Sequence, residues 1–273
     1  MQADQAHIVE FREIVWEYYH NNARTMPWRD NHDAHVVMVS EVMLQQTQVE
    51  RVKPKFEAFL ERFPTVKALA EAPLSEVLTL WSGLGYNRRA KFLWQAARMV
   101  QYNFNGMMPT TIKELQKLPG VGINTAGAIM AYAYDQPVVF IETNIRTVLF
   151  HHFFASQIVE VSDKELRELA RVTLDTEHPR EWYWALMDYG AFLKKSAGGR
   201  LHQSKHYKKQ SPLKGSLREM RGSILRALTQ ANCTEISLRT RVQADERFEQ
   251  ALAALKLEGM VVQKNDLLCL TDH

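Results

Sequence analysis

The chain contains two cysteines, Cys233 and Cys269, among 273 residues. Two thiols cannot build a disulfide framework or a four-thiolate zinc or iron–sulfur centre, so neither a metal nor a cluster is expected. No run of about 18 apolar residues occurs, which argues against a spanning helix, and the N-terminus lacks the pattern of a secretory signal. A soluble, cytoplasmic protein with no membrane partner is therefore expected. A strong excess of one charge sign is also missing, since 34 Lys and Arg against 31 Asp and Glu leave a net charge of +3. That balance, with a pI near 8.8, suits a polyanion partner without demanding one. What is present is a 46% hydrophobic content, enough for a full core in one large or two modest domains.

Glycine is sparse, and its placement is informative. Gly120 and Gly122 lie in Leu118-Pro119-Gly120-Val121-Gly122, followed by Ile123-Asn124-Thr125-Ala126-Gly127-Ala128. Two glycines around one apolar residue permit a tight turn, and a small-residue helix predicted over Thr125 to Ala133 would open with outward-pointing N–H groups. Such a turn either packs a corner of the fold or holds a phosphate. A second glycine pair lies in Trp81-Ser82-Gly83-Leu84-Gly85-Tyr86-Asn87-Arg88-Arg89, at the start of a helix predicted to reach about Tyr102. Tyr86, Arg88 and Arg89 either offer stacking and charge to a nucleic acid or form the solvated basic end of a loop.

Apolar spacing predicts a helix from Gln5 to Tyr19 and another across His35 to Gln48, despite the β-branched residues of the second. Glu41 is the only acid in that second segment. Its carboxyl is either turned to solvent or desolvated, and desolvation would raise its pKa until it held a proton near neutral pH. In Met26-Pro27-Trp28-Arg29, Trp28 reads as a core anchor and Arg29 as a surface residue or a ligand for a base or phosphate. Helices from Val52 to Phe63, Val66 to Ala70 and Leu74 to Trp81 are punctuated by Pro54, Pro64 and Pro73. Past a break at 135–137, the short apolar run Val138 to Ile141 leads into Glu142-Thr143-Asn144-Ile145. There Glu142 and Asn144 stand at a helix start, where such side chains commonly cap.

Two more helices are predicted from Ser162 to Leu174 and from Pro179 to Lys195. Between Lys194 and Lys214 lie seven Lys or Arg, among them Lys205, Lys208 and Lys209, and no acid. That stretch is either a flexible basic linker or a phosphate-binding arm. Helices over 217–228, 236–241 and 244–257, then two short apolar strands about Lys264-Asn265-Asp266, predict a winged-helix-like domain. It would touch DNA or pack on the rest of the chain.

In combination, the motifs from Met26 to about Leu193 resemble the helix-hairpin-helix (HhH-GPD) DNA glycosylases. Leu118 to Gly122 matches the hairpin, and Ser40-Glu41-Val42-Met43-Leu44-Gln45-Gln46-Thr47-Gln48-Val49 is similar to the signature of the MutY-type adenine glycosylases. The resemblance implies an all-α fold of two helical subdomains: residues 1–193 as catalytic domain, 194–215 as linker or DNA-binding arm, and 216–273 as the winged-helix-like part. It implies Glu41 as general acid, with Gln45, Gln46 and Gln48 reaching into the DNA around the lesion pair. Tyr86, Arg88 and Arg89 fall in the segment that enters the duplex, although Asn87 stands where a second aromatic is usual. Gly120, Val121, Gly122, Asn124 and Thr125 fall on the phosphate-holding turn, Lys205, Lys208 and Lys209 on the arm, and Trp28 and Arg29 at the base pocket. Glu142 stands where the family has Asp, followed by Asn144. Lys194 takes the place of the first iron–sulfur cysteine, and residues 216–273 do not match the larger module with which such enzymes read 8-oxoguanine.

The implied chemistry needs two acids. Cleaving an N-glycosidic bond builds positive charge on the deoxyribose and negative charge on the departing base. Glu41 in its apolar setting suits the proton donor; Glu142, at a helix N-terminus, suits the ionised partner, and the two are expected to meet across one cleft. Asn124 stands where bifunctional relatives carry a Schiff-base lysine, so a monofunctional enzyme that leaves an abasic site is expected. The expected partner is double-stranded DNA holding a mismatch or damaged base, engaged by a monomer, in the nucleoid if the source is bacterial. Adenine opposite 8-oxoguanine or guanine is the leading substrate. The alternatives are a thymine or uracil mismatch glycosylase and a DNA-binding homologue without catalysis.

Overall fold

The computed structural model describes residues 4–154, 161–196 and 212–273. In chain order the elements are α1 (Gln5–Asn22), α2 (Ala34–Leu44), α3 (Val49–Arg62), α4 (Val66–Glu71), α5 (Leu74–Trp81), α6 (Arg88–Asn103), α7 (Ile112–Leu115), α8 (Ile123–Tyr132) and α9 (Thr143–Phe153). They continue with α10 (Asp163–Thr173), α11 (Pro179–Ser196), α12 (Leu217–Gln230), α13 (Glu235–Val242), α14 (Phe248–Leu257), β1 (Val261–Lys264) and β2 (Leu267–Leu270). The all-α expectation is met, with one small hairpin pairing Val261 to Leu270 and turning at Asn265, whose φ is 54°.

Local differences from the sequence pattern have physical causes. α2 stops at Leu44 rather than near Gln48, because the Arg89 guanidinium takes the carbonyls of Val42 and Met43 and Gln46 then turns left-handed at φ 56°. α3 starts ahead of Val52 and carries Pro54 inside it, forgoing one N–H bond near its start. α14 begins at Phe248 rather than at Ala244, since the Asp245 carboxylate accepts the Arg247 N–H and holds a turn there. The short α7, capped by the Thr111 hydroxyl, has no counterpart in the sequence pattern.

The chain forms two compact units. The first comprises Met1–Val37, Thr110–Gln116 and Val121–Lys209. In it α11 packs on α9 and α1, with Phe11 and Trp182 meeting edge to face at 5.9 Å between ring centres. α10 opens with a full capping box between Ser162 and Glu165, and Arg12 of α1 donates to the carbonyls of Val172, Thr173 and Leu174 at its other end.

The second unit comprises Met38–Pro109, Lys117–Gly120 and Gln210–His273. Here α6 packs on α4 and α5, and the Trp94 indole donates to the Ala72 carbonyl between them. α12 packs on α13, α14 and β2, and also on α5. The order expected for a winged helix is therefore present, and its first helix rests against the same core as α5 and α6.

Candidate active site

In the first unit, the decisive segment is Val138 to Glu142. Residues 138–141 are apolar but belong to no helix or strand, so their backbone groups need other partners. Side chains supply them. The Tyr183 hydroxyl donates to the Val138 carbonyl at 2.7 Å and accepts from the Phe140 N–H at 3.4 Å. The Asn124 amide donates to the Ile141 carbonyl at 2.9 Å, and its oxygen accepts from the Ile141 N–H at 3.4 Å. Gly127 of α8 lies against Phe140, where an added Cβ would come within 2.6 Å of the Phe140 Cβ.

Glu142 follows directly as the residue capping α9, with φ −100° and ψ 173°, yet its side chain makes no capping bond to the helix. Burial pushes its carboxyl above the ordinary carboxylate range. Loss of solvent thus acts against the ionised form that a helix N-terminus favours. Asn144, within the first turn of α9, donates to the Met187 carbonyl at 3.2 Å, and Gly190 of α11 packs against it so closely that a Cβ would meet the Asn144 Cβ at 2.8 Å.

Beside that contact sits Asp188, 1% exposed, a residue the sequence reading did not single out. It accepts from Arg24 at 2.8 Å and from Arg29 at 2.7 and 2.9 Å. Burial pushes the Asp188 carboxyl up, but the hydrogen bonds and charge of Arg29 and the hydrogen bonds of Arg24 more than offset this and leave its pKa lowered. Arg29 also lies over the Trp184 ring at 5.4 Å. Its guanidinium is thus turned onto Asp188, while Trp28 is half-buried and not the core anchor its size suggested. The signal for Asp188 was available, because it is the only acid between Trp182 and Leu193.

In the second unit, α2 is apolar nearly all round: Met38, Val39, Val42 and Met43 are buried, and Glu41 is half-buried among them. Arg89 fixes the end of this helix. It donates to Val42 O at 2.6 Å, Met43 O at 3.0 Å, Thr47 Oγ1 at 3.0 Å and Gly85 O at 3.1 Å, and burial lowers its pKa to about 10. Both terminal nitrogens of Arg89 are thus engaged on carbonyls and a hydroxyl, while its buried Nε has no hydrogen-bond partner among the described residues. Gln45 and Gln46 line a cleft of about 1050 Å³ together with Tyr86, Arg88 and Gly120, whereas Gln48 is exposed at the start of α3 and does not line it. Tyr86 holds φ 47°, a strained setting for an aromatic residue, next to Gly85 at φ 76°.

The hairpin glycines differ in purpose. Gly120 has φ 78° and sits where a Cβ would come within 2.9 Å of Phe92, so both conformation and packing require glycine. Gly122 begins α8 with ordinary backbone angles and open space around it. Val121 is buried at 5%, Thr125 is buried at 8%, and Asn124 turns its amide back onto Ile141 instead of outward. Lys205, Lys208 and Lys209 lie outside the described residues.

A helical scaffold, a glycine turn between α7 and α8, and an acid set at the start of α9 define a helix-hairpin-helix protein. The chain carries a domain of the HhH-GPD superfamily of base excision DNA repair proteins, matched over residues 39–173. It is 34% identical over 190 residues to the adenine DNA glycosylase of Buchnera aphidicola subsp. Baizongia pistaciae, a match covering 68% of this chain and 53% of that protein. It is 38% identical over 200 residues to the adenine DNA glycosylase of Mus musculus, covering 69% of this chain and 39% of that one. The chain thus spans about half the length, or less, of these curated relatives. Its fold is similar to a thermostable thymine-DNA glycosylase at a TM-score of 0.64 and 24% identity, over 72% of this chain and 92% of that one.

An iron–sulfur cluster does not fit the residues present. It needs four thiolates, and the chain offers only Cys233 and Cys269, both buried. Among the described residues no helix is long and apolar enough to cross a membrane.

Proposed function

We propose that the chain is a monofunctional DNA glycosylase of base excision repair that acts as a monomer, without a cluster, on adenine paired with 8-oxoguanine or guanine in double-stranded DNA. The observation that carries this reading is the placement of the Glu142 carboxyl at the start of α9, between the Asn124 clamp on Ile141 and the Asn144 bond to Met187, in a chain whose sequence relatives are named adenine DNA glycosylases. The run Ser40 to Val49 supports adenine as the base.

In this reading the N-glycosidic bond breaks with its electron pair leaving on the base. Glu41 supplies the proton that neutralises the base, Glu142 in its ionised form balances the charge on the sugar, and water adds its hydroxyl to the anomeric carbon while its proton returns to a carboxylate. Asn144, held by Met187, fixes the first turn of α9 next to Glu142. Asn124 offers no amine, so no Schiff base forms and the product is an intact abasic strand.

The test is a panel of duplexes bearing A, T or U opposite G or 8-oxoguanine, treated with alkali after incubation. Cleavage confined to the A-containing duplexes is expected. Product from T or U would reassign the base, and binding without product would remove the catalytic reading. Strand breaks without alkali, with a borohydride-trapped complex, would refute the monofunctional assignment.

A further inference from the structure

The large cleft of the second unit is not built from the family segment alone. One wall is the Gly83 to Arg89 turn, with Gln45, Gln46 and Gly120; the other is α12, which lies beyond the 39–173 match. Six arginines and two glutamates line it. Glu258 is shared by Arg88 at 2.9 Å and Arg221 at 2.6 Å, and Glu219 is taken up by Arg247 at 2.9 Å. A positive surplus is therefore concentrated here, in a chain whose overall charge is only +3.

The face that α12 turns to the cleft carries Arg218, Gly222 and Arg226, spaced four residues apart on one side of the helix. Arg218 donates to the Tyr86 hydroxyl at 2.6 Å and lies over its ring at 4.9 Å, so the strained tyrosine is held by the C-terminal segment. Gly222 is inside the helix, where glycine is disfavoured, and a Cβ there would meet nothing within 4 Å. Packing does not demand it, but its bare backbone leaves room between the two arginines. Arg226 is exposed at the far end of the stripe.

We infer that α12 is a DNA-backbone site: the cleft takes one strand, Arg226 donates to a phosphate, Gly222 lets the strand lie close, and Arg218 positions Tyr86 against it. Planar guanidinium donors suit phosphate oxygens, and their planar edge can make paired bonds. This rests on the glycosylase reading for the identity of the polyanion.

The full chain is titrated with a fluorescent duplex holding A opposite 8-oxoguanine across a series of salt concentrations, alongside Arg226→Glu, Gly222→Glu and, as control, Arg241→Glu, which lies on α13 outside the cleft. Arg226→Glu is expected to weaken binding about 5- to 20-fold and to lower the salt slope by about one. Gly222→Glu should also weaken binding, and Arg241→Glu should match the wild type; circular dichroism confirms that each variant is folded. Wild-type affinity and slope in both cleft variants, while the wild type excises the base, would overturn the cleft assignment alone. Wild-type binding with the expected variant losses but no excision from any duplex would leave the cleft assignment standing and remove the glycosylase reading.

Discussion

Asn124 and Ile141 exchange two hydrogen bonds, side-chain amide to backbone, one residue ahead of Glu142. Asn124 is thereby a clamp on the segment bearing Glu142. Asn124→Ala leaves the Ile141 N–H and carbonyl without these partners, and the carboxyl loses its register. The single-turnover excision rate is expected to fall about 10- to 100-fold, with duplex affinity changed less than about threefold. Equal losses in rate and affinity would show that Asn124 acts on DNA directly.

The raised pKa of Glu142 makes a prediction of definite sign. Its folded value lies above its unfolded one, so the folded protein binds the proton more tightly, and stability falls as pH rises through that window. If the ionised form supports the sugar cation, the excision rate should rise with pH across the same window, at a midpoint above the ordinary carboxylate range. Glu142→Gln should lose about 10²- to 10⁴-fold in rate and melt higher than the wild type at pH 8. A rate that is flat across this range, or a variant of lower melting temperature, would contradict the assignment.

Asp188 joins Arg24 and Arg29 in an ion-pair cluster with no solvent access at its carboxylate. Asp188→Asn leaves two guanidinium groups, one of them nearly buried, without their counter-charge. A loss of about 3–5 kcal/mol is expected from denaturant unfolding, as for other broken buried pairs. The change should appear in stability before it appears in the excision rate measured well below the melting temperature.

His152 packs beside His7 and His151 and its ring nitrogen lies 3.1 Å from the Tyr189 hydroxyl. Burial, then the neighbouring histidines, push its pKa down to about 4. Between the unfolded value of about 6.5 and that figure, the unfolded chain binds a proton that the folded chain does not. Its contribution to stability is thus intact above about pH 6.5 and is lost as pH falls towards 4. Thermal midpoints measured from pH 8 to 5 should decline, and His152→Gln should flatten part of that decline.

Two glycines should respond oppositely to the same substitution. Gly222→Ala on α12 meets open space and gains helix propensity, so a rise of about 0.5–1 kcal/mol is expected. Gly190→Ala drives a methyl into Asn144 and must move α9, so both stability and excision should drop. A tolerated Gly190→Ala would show that the start of α9 is not held by this contact.

Periodicity located most helices because burial follows spacing, and α1, α5, α11 and α12 begin or end within a few residues of where the apolar pattern places them. Glu41 stood out as a lone acid in an apolar run. Asp188 carries the same signature, but its partners, Arg24 and Arg29, lie over 150 residues away, and a charge pair at that distance leaves no local trace. Arg89 illustrates the reverse case. A basic residue after a glycine turn looks outward in one dimension, and only the proximity of the end of α2 turns it into a cap. The protonation of Glu142 was read from its helix position, whereas it depends on how much solvent neighbouring segments exclude.

The segment Val138 to Ile141 is held by a tyrosine and an asparagine instead of a ladder of strands. A strand within a sheet can slip only by whole residues, because each step must re-form every rung. A segment gripped by individual side chains can be re-seated by a fraction of an ångström through small torsional changes at Asn124 or Tyr183. That latitude is of the size needed to absorb a change of one methylene in the length of the acidic side chain at position 142.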